Sequence, residues 1–174
     1  MDGLRIRDFN VRNRLFVGTG KYQTYEIMQR SLEASGCSVV TVAVRRERLM
    51  DSSGRSLLDF IDLGKYVILP NTAGCHTASD AVRTLRLARE AGGWNLVKLE
   101  VLGQPPTLYP DMPATFEGAA ALIKDGFEVM VYCADDPVAA KRLEEMGCVA
   151  IMPLGAPIGS GLGVQNPAMI WMMR

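Results

Sequence analysis

Six short apolar segments recur along the chain, and they constrain its fold more than any other feature. Each is nearly continuous and rich in Val, Ile, Leu or Met, which is typical of parallel strands covered on both faces. The segments are RLFVGTG (14–20), VVTVAV (39–44), YVILPNT (66–72), LVKLEV (96–101), FEVMVYC (127–133) and VAIMPLG (149–155).

Helical segments with recognisable start and stop signals lie between these strands. Capping residues and Asp-Pro or Asn-Pro pairs mark the starts, and glycines mark the ends. The predicted helices run from Thr24 to Gly36, from Thr77 to near Gly92, from Pro113 to Gly126, from Asp136 to Gly147, and onward from Asn166. A short hairpin is expected before residue 14, and SLLDFIDL (56–63) predicts a short helix.

The alternation of strand and helix indicates right-handed βαβ units in one parallel sheet. Two architectures fit six such units: an open doubly wound sheet, and part of a (β/α)8 barrel, which normally needs about 250 residues. Periodicity alone does not choose between them. With 174 residues and no linker or low-complexity tract, we expect residues 1–174 to form a single domain.

Composition excludes several function classes. Nineteen basic residues balance nineteen acidic ones, which argues against a general nucleic-acid or anionic-membrane surface. No signal peptide opens the chain, and no apolar run reaches the roughly 18 residues that span a bilayer. The four cysteines form no C-x-x-C pair, and with one histidine they do not make a zinc pattern. We therefore expect a reduced, cytoplasmic protein without a metal site or cofactor.

The fourth apolar segment carries two opposite charges in its middle. Lys98 and Glu100 lie two residues apart, so in a strand they share one face, while Val97, Leu99 and Val101 face the helices. In a closed barrel the charged face looks inward, near the C-terminal end where barrel active sites form. Desolvation there favours the neutral amine, which can attack a carbonyl and form a Schiff base, and the carboxylate can move protons around the imine. A structural ion pair explains the same spacing, and the pattern alone leaves both interpretations open.

Other polar positions are weaker candidates. In GAPIGSGLG (155–163), Gly159, Ser160 and Gly161 can present backbone amides to an anionic or hydroxylated ligand, although a plain flexible loop fits equally well. The arginines after the second segment can bind an anion, but a solvated loop or a subunit contact explains them at least as well. A histidine near a helix start more often caps or packs than catalyses. These further candidates are Arg45, Arg46, Arg48, His76 and the acid Asp135.

Taken together and in order, the motifs LFVGTGKY, AVRR, LPNTAG, LVKLEVLG, GFEVMVYCADDP and AIMPLGAPIGSGLG resemble the bacterial thiazole synthase family of thiamin biosynthesis. The resemblance covers nearly all of residues 4 to 170. It implies a (β/α)8 barrel, of which this chain supplies the first six βα units. It also implies three substrates: 1-deoxy-D-xylulose 5-phosphate, dehydroglycine and the thiocarboxylate of a small sulfur carrier protein.

The resemblance assigns roles to individual residues. Lys98 matches the lysine that forms an imine with the sugar phosphate, Glu100 an acid/base candidate, and Gly159 a glycine that contacts the sugar phosphate. A homo-oligomer that docks the carrier protein is implied as well. Two alternatives stay open: a class I aldolase-like Schiff-base enzyme acting on a sugar phosphate, and a non-catalytic truncated relative that only binds partners.

The family continues past the sixth helix with two further βα units, which bring another catalytic acid and the phosphate-binding loops. The present chain stops at NPAMIWMMR (166–174), within that helix. Six strands alone would leave two open sheet edges and an exposed core. We therefore expect either an incomplete record of a longer protein or a fragment without activity.

Overall fold

The computed structural model describes residues 3–45 and 54–174. The strands are β1 (Leu4–Ile6), β2 (Phe9–Val11), β3 (Phe16–Gly18), β4 (Val39–Ala43), β5 (Val67–Asn71), β6 (Leu96–Leu99), β7 (Glu128–Cys133) and β8 (Ala150–Pro153). The α-helices are α1 (Tyr25–Ser35), α2 (Ala78–Gly92), α3 (Met112–Lys124), α4 (Pro137–Met146) and α5 (Pro167–Met172), and a 3-10 helix covers Leu57–Phe60. Each predicted apolar segment thus contains one strand, and the predicted hairpin is β1–β2.

The six main strands lie in sequence order, β3-β4-β5-β6-β7-β8, and every neighbouring pair is parallel. A doubly wound sheet reverses its strand order partway across. No reversal occurs in this sheet, so the doubly wound alternative is wrong. The sheet curls into a partial (β/α)8 barrel with helices following its strands.

Helix starts follow from local capping chemistry. The Thr24 hydroxyl accepts a hydrogen bond from the Ile27 amide at 3.2 Å, and α1 ends at Gly36, whose φ of 62° is in the left-handed region. The Asp136 carboxylate likewise accepts from the Val138 amide at the start of α4. Within the described ranges, none of the helices has the length and apolarity needed to cross a bilayer.

The convex face of the sheet packs against the helices, as the alternation in β6 predicts. Val97, Leu99 and Val101 are fully buried there. They join a core cluster with apolar side chains of α2, α3 and α4, including Ala81, Leu85, Ala119, Leu122 and Leu143.

The concave face is apolar at its lower end, where the strands begin. The β1–β2 hairpin contributes Ile6 and Val11 to this layer, and both are buried. The hairpin packs on the inner side chains of four strands: Val39, Leu69, Leu96 and Met130. One inner-face position above this apolar layer, the same strands carry Asn71, Lys98 and Tyr132.

Candidate active site

Lys98 and Glu100 form a buried ion pair. The Lys98 Nζ donates a hydrogen bond to Glu100 Oε2 at 2.7 Å, with side-chain exposures of 18% and 7%. Lys98 is registered between Asn71 of β5 and Met130 of β7, and Met130 belongs to the inner apolar layer. The pair therefore lies at the C-terminal end of β6, on the concave side.

Glu100 lies just beyond β6 rather than within it, so the predicted strand over 96–101 is too long. The strand ends at Leu99 because the backbone of Glu100 bonds to a side chain instead of to β5. The Thr72 hydroxyl accepts a hydrogen bond from the Glu100 amide and donates one to the Glu100 carbonyl oxygen, both at 2.7 Å.

Tyr132 of β7 forms another wall of this site. Lys98 Nζ lies 5.8 Å from the centroid of its ring, within the range of a cation–π contact. Burial and, secondarily, the negative charge of Glu100 raise the pKa of Tyr132 to about 12. Its hydroxyl therefore stays protonated at neutral pH, and it donates a hydrogen bond to the Leu108 carbonyl at 3.2 Å.

The segment after β6 folds back beside the site. Gly103 donates its amide to the Tyr109 carbonyl, and Asp111 donates to the Val101 carbonyl, each at 2.8 Å. Leu108 has a φ of 54°, a conformation that side chains other than glycine rarely adopt. The strained turn presents the Leu108 carbonyl to Tyr132, which anchors this segment over the C-terminal end of the barrel.

His76 and Arg45 both bind backbone carbonyls. The His76 Nδ1 lies 2.9 Å from the Leu102 carbonyl oxygen, which only accepts, so Nδ1 carries the proton. The Arg45 Nη1 donates to the Gly74 carbonyl at 3.1 Å. These contacts join both side chains to neighbouring loop backbone, and Arg46 and Arg48 lie outside the described residues.

The predicted glycine loop follows β8 at the same C-terminal edge. The main-chain amide of Gln165 donates to the Gly155 carbonyl at 2.8 Å and closes the loop. The main-chain amide of Ser160 donates to the Pro157 carbonyl at 3.0 Å. Gly159 and Gly161 adopt φ values of 81° and 68° and are exposed. β7 lies between β8 and β6, so the loop lies on a neighbouring part of the barrel rim and takes no part in the Lys98–Glu100 contact.

The cysteines and the clusters of polar side chains are the remaining places for thiol or metal chemistry. All four cysteines are buried, and burial raises the pKa of Cys133 and of Cys148 to about 11, so these two thiols stay protonated at neutral pH. Among residues 3–45 and 54–174, no cluster of three or more His, Cys, Asp or Glu side chains is arranged to hold a metal ion. Asp135 is half-buried in the turn after β7.

Three site residues were not predicted: Asn71, Thr72 and Tyr132. The first two end the apolar segment YVILPNT, and Tyr132 is the last residue but one of FEVMVYC. Because the C-terminal ends of parallel strands meet at one edge of a sheet, polar residues at these ends were the available signal.

Comparisons with known proteins agree with this architecture. The family model of the thiazole biosynthesis protein ThiG matches residues 5–174. A thiazole synthase of Rhodospirillum rubrum is 67% identical over 162 residues, which are 93% of this chain and 56% of the relative. A thiazole synthase of Zymomonas mobilis is 59% identical over 169 residues, 97% of this chain and 66% of the relative.

A solved structure is similar as well. The Amycolatopsis orientalis BexX/CysO complex contains a chain that matches with a TM-score of 0.84 at 29% identity. The match covers 99% of the present chain and 70% of that chain. This chain therefore spans only part of the length of the proteins it resembles, between 53% and 66% of the relatives from Paramagnetospirillum magneticum and Zymomonas mobilis. Since the family model covers nearly the whole sequence, the chain belongs to the family of the thiazole biosynthesis protein ThiG.

Proposed function

We propose that the protein is a thiazole synthase. It would combine 1-deoxy-D-xylulose 5-phosphate, dehydroglycine and the thiocarboxylate of a sulfur carrier protein into a thiazole phosphate carboxylate. The observation that carries this proposal is the buried 2.7 Å contact between Lys98 and Glu100 at the C-terminal end of a barrel strand. Membership of the family and the names of its similar relatives support the same reaction.

The first proposed step is imine formation at Lys98. A proton passes along the 2.7 Å hydrogen bond from the Lys98 ammonium to the Glu100 carboxylate, which leaves a free amine next to the substrate. The free amine then adds to the substrate ketone. Glu100 returns its proton to the hydroxyl of the adduct, and water leaves as the imine forms.

The second proposed step is proton transfer on the sugar. The imine makes the adjacent C–H acidic, and Glu100 removes that proton to give an enamine. Reprotonation at the former imine carbon moves the carbonyl by one carbon and gives an amino ketone, in which Lys98 stays bonded to the sugar through a C–N single bond. A carboxylate held beside the imine nitrogen is suited to both transfers.

The remaining steps join three components. The thiocarboxylate sulfur adds to the migrated ketone, and loss of water and of the carrier carboxylate leaves a thio-sugar. Dehydroglycine then adds, its nitrogen takes the place of the Lys98 nitrogen on the sugar carbon so that the lysine leaves as a free amine, and ring closure gives the thiazole. We assign the main-chain amides of Gly159 and Gly161, together with the Ser160 hydroxyl, to the sugar phosphate, because a loop with repeated positive φ can point several amides at one anion.

A protein partner and a homo-oligomeric, cytoplasmic enzyme complete the proposal. The similar solved structure is a complex of BexX with a second protein, CysO, which supports docking of a carrier on this fold. The exposed apolar side chains of the last loop and α5, among them Ile158, Leu162 and Trp171, offer surface for a subunit or carrier contact.

Product formation tests the proposal. The purified protein is incubated with the sugar phosphate, dehydroglycine and carrier thiocarboxylate, and thiazole is measured by mass spectrometry. We expect thiazole only when all three substrates are present. Cleavage of the sugar phosphate without the carrier would instead identify an aldolase-like enzyme. If neither reaction occurs, the remaining alternative is a non-catalytic protein that only binds partners.

A further inference from the structure

The pairing of β5 with β6 breaks off at the candidate active site. β4 and β5 pair through five registered residues, and β6 and β7 through four. β5 and β6 have one registered pair, Asn71 with Lys98. The registered pairing of β5 with β6 is therefore limited to the position of the lysine, while β6 stays paired with β7 as far as Leu99.

Beyond that pair, the side chain of Thr72 makes the hydrogen bonds that strand pairing would otherwise make. The Thr72 hydroxyl accepts from the Glu100 amide and donates to the Glu100 carbonyl, so it satisfies both main-chain groups of that residue. The Thr72 amide itself donates to the Lys98 carbonyl at 3.3 Å. Thr72 is thus bonded to both members of the ion pair through their backbones.

The surroundings of Thr72 keep its hydroxyl in a fixed position relative to the Glu100 backbone. Its side chain is fully buried, and Glu100 is 5% exposed, so water does not compete for the two 2.7 Å hydrogen bonds. Its carbonyl accepts from the Cys75 amide at 2.9 Å, which fixes the turn that follows β5. A β-branched residue also has few allowed χ1 rotamers, so the hydroxyl position is set by the backbone.

We infer that Thr72 is a positioning residue that aims the Glu100 carboxylate for proton transfer at the Lys98 imine. The inference rests on the proposed function, since it assigns Thr72 to the second step of that reaction. The Thr72 hydroxyl bonds to the backbone of Glu100 and not to Lys98, so its removal leaves the Lys98 amine in place. Imine formation needs Glu100 only for fast proton transfers between nitrogen and oxygen atoms. Removal of a proton from carbon is slower and depends more on the placement of the carboxylate, so loss of the hydroxyl should slow exchange more than trapping.

The test measures two rates on the same samples, both with 1-deoxy-D-xylulose 5-phosphate as the only substrate. Borohydride reduction reports imine formation at Lys98. Exchange of the sugar C–H next to the imine carbon with deuterated water reports proton transfer by Glu100. The ratio of exchange to trapping cancels the fraction of folded protein, because both reactions need the folded site.

Thr72→Val removes the hydroxyl at nearly constant volume. We expect the exchange-to-trapping ratio to fall roughly 10- to 100-fold, the scale of a misplaced catalytic group. Thr72→Ser keeps the hydroxyl and should restore most of the ratio. Thr115→Val is the matched control, since Thr115 is equally buried and donates its hydroxyl to the Asp111 carbonyl at 2.6 Å on α3; its ratio should match that of the wild type.

Thr72→Ala carries the test if the valine variant does not fold, because it removes the same hydroxyl without placing a methyl group against the Glu100 backbone. A ratio in Thr72→Val or Thr72→Ala equal to that of the wild type would overturn the inference. If the wild type shows neither trapping nor exchange, the proposed function itself fails, so the two failures are distinguishable.

Discussion

The β4–β5 pair and the β5–β6 pair of the same sheet are built differently. β4 and β5 pair regularly along their whole length, from Val39 opposite Val67 to Ala43 opposite Asn71. β5 and β6 keep one registered pair, after which a threonine side chain replaces the ladder. Regular pairing serves stability in the first case. Between β5 and β6, regular pairing is replaced by side-chain hydrogen bonds at the place where two charged side chains are held on the concave face.

The contrast extends to burial of polar groups. The lower concave face is closed by the hairpin and contains apolar side chains. Further up the same face, Lys98 and Glu100 pair with each other at 2.7 Å with side-chain exposures of 18% and 7%, and the Tyr132 ring lies beside Lys98. A buried ion pair is weak evidence for stability because desolvation offsets its attraction, so its position at the catalytic end of a barrel favours a chemical role.

Replacement of the nucleophile should have the largest effect. Lys98→Arg keeps the positive charge and the partner of Glu100, but a guanidinium does not form the imine. We expect thiazole formation to fall by more than about 1,000-fold, the scale on which loss of a nucleophile acts, with the melting temperature little changed. Lys141→Arg on the exposed surface of α4 is the control and should be fully active.

Replacement of the proton carrier should have the next largest effect. Glu100→Gln keeps a hydrogen-bonding oxygen near Lys98 but cannot accept a proton. Loss of general acid–base catalysis should slow deuterium exchange by about 100- to 10,000-fold. Glu144→Gln, on the surface of α4, provides the comparison. Unchanged exchange in Glu100→Gln would move the acid/base role to another group.

A cavity in the regular part of the sheet should affect stability instead of chemistry. Leu69 of β5 is fully buried in the inner apolar layer. Leu69→Ala should lower the free energy of unfolding by about 2–5 kcal/mol, measured by urea denaturation. The exchange-to-trapping ratio of the protein that stays folded should be unchanged. Leu63→Ala, at an exposed position, should have little effect on either quantity.

Alkaline pH should destabilise the convex side of β7. Burial raises the pKa of Cys133 and Cys148 from 9.0 to about 11, so above pH 9 the unfolded chain releases these protons before the folded one does. The unfolded state is then favoured, and the stability that is complete below pH 9 is lost progressively up to about pH 11. Urea midpoints at pH 8 to 11 measure this loss. Cys148→Ala should flatten the dependence, and an equal slope in that variant would contradict the assignment.

The smallest effect is expected at Tyr132. Tyr132→Phe removes one hydrogen bond to the Leu108 carbonyl and should cost about 0.5–1.5 kcal/mol of stability, measured by thermal or urea denaturation. The ring over Lys98 remains, so turnover should change little. Tyr132→Leu removes the ring as well, and a larger loss of turnover in that variant would separate the role of the ring from that of the hydroxyl.

The strands, the helices and the shared face of Lys98 and Glu100 were predictable because they follow from local rules. Apolar runs, capping residues and a side-chain period of two act within a few residues. The choice of a barrel over a doubly wound sheet depends on strand order, which periodicity does not encode.

Thr72 was missed for a similar reason. Its contact with Glu100 spans 28 residues of sequence and depends on the register of two strands. Thr72 lies just after β5, and Glu100 lies just after β6. No local sequence pattern indicates that these two residues form hydrogen bonds with each other.

Reductive trapping followed by peptide mapping tests the central claim most directly. The protein is incubated with 1-deoxy-D-xylulose 5-phosphate, reduced with borohydride, digested and analysed by tandem mass spectrometry. The account predicts one substrate-dependent adduct, on Lys98. An adduct on another lysine, or none in protein that makes thiazole, would contradict it.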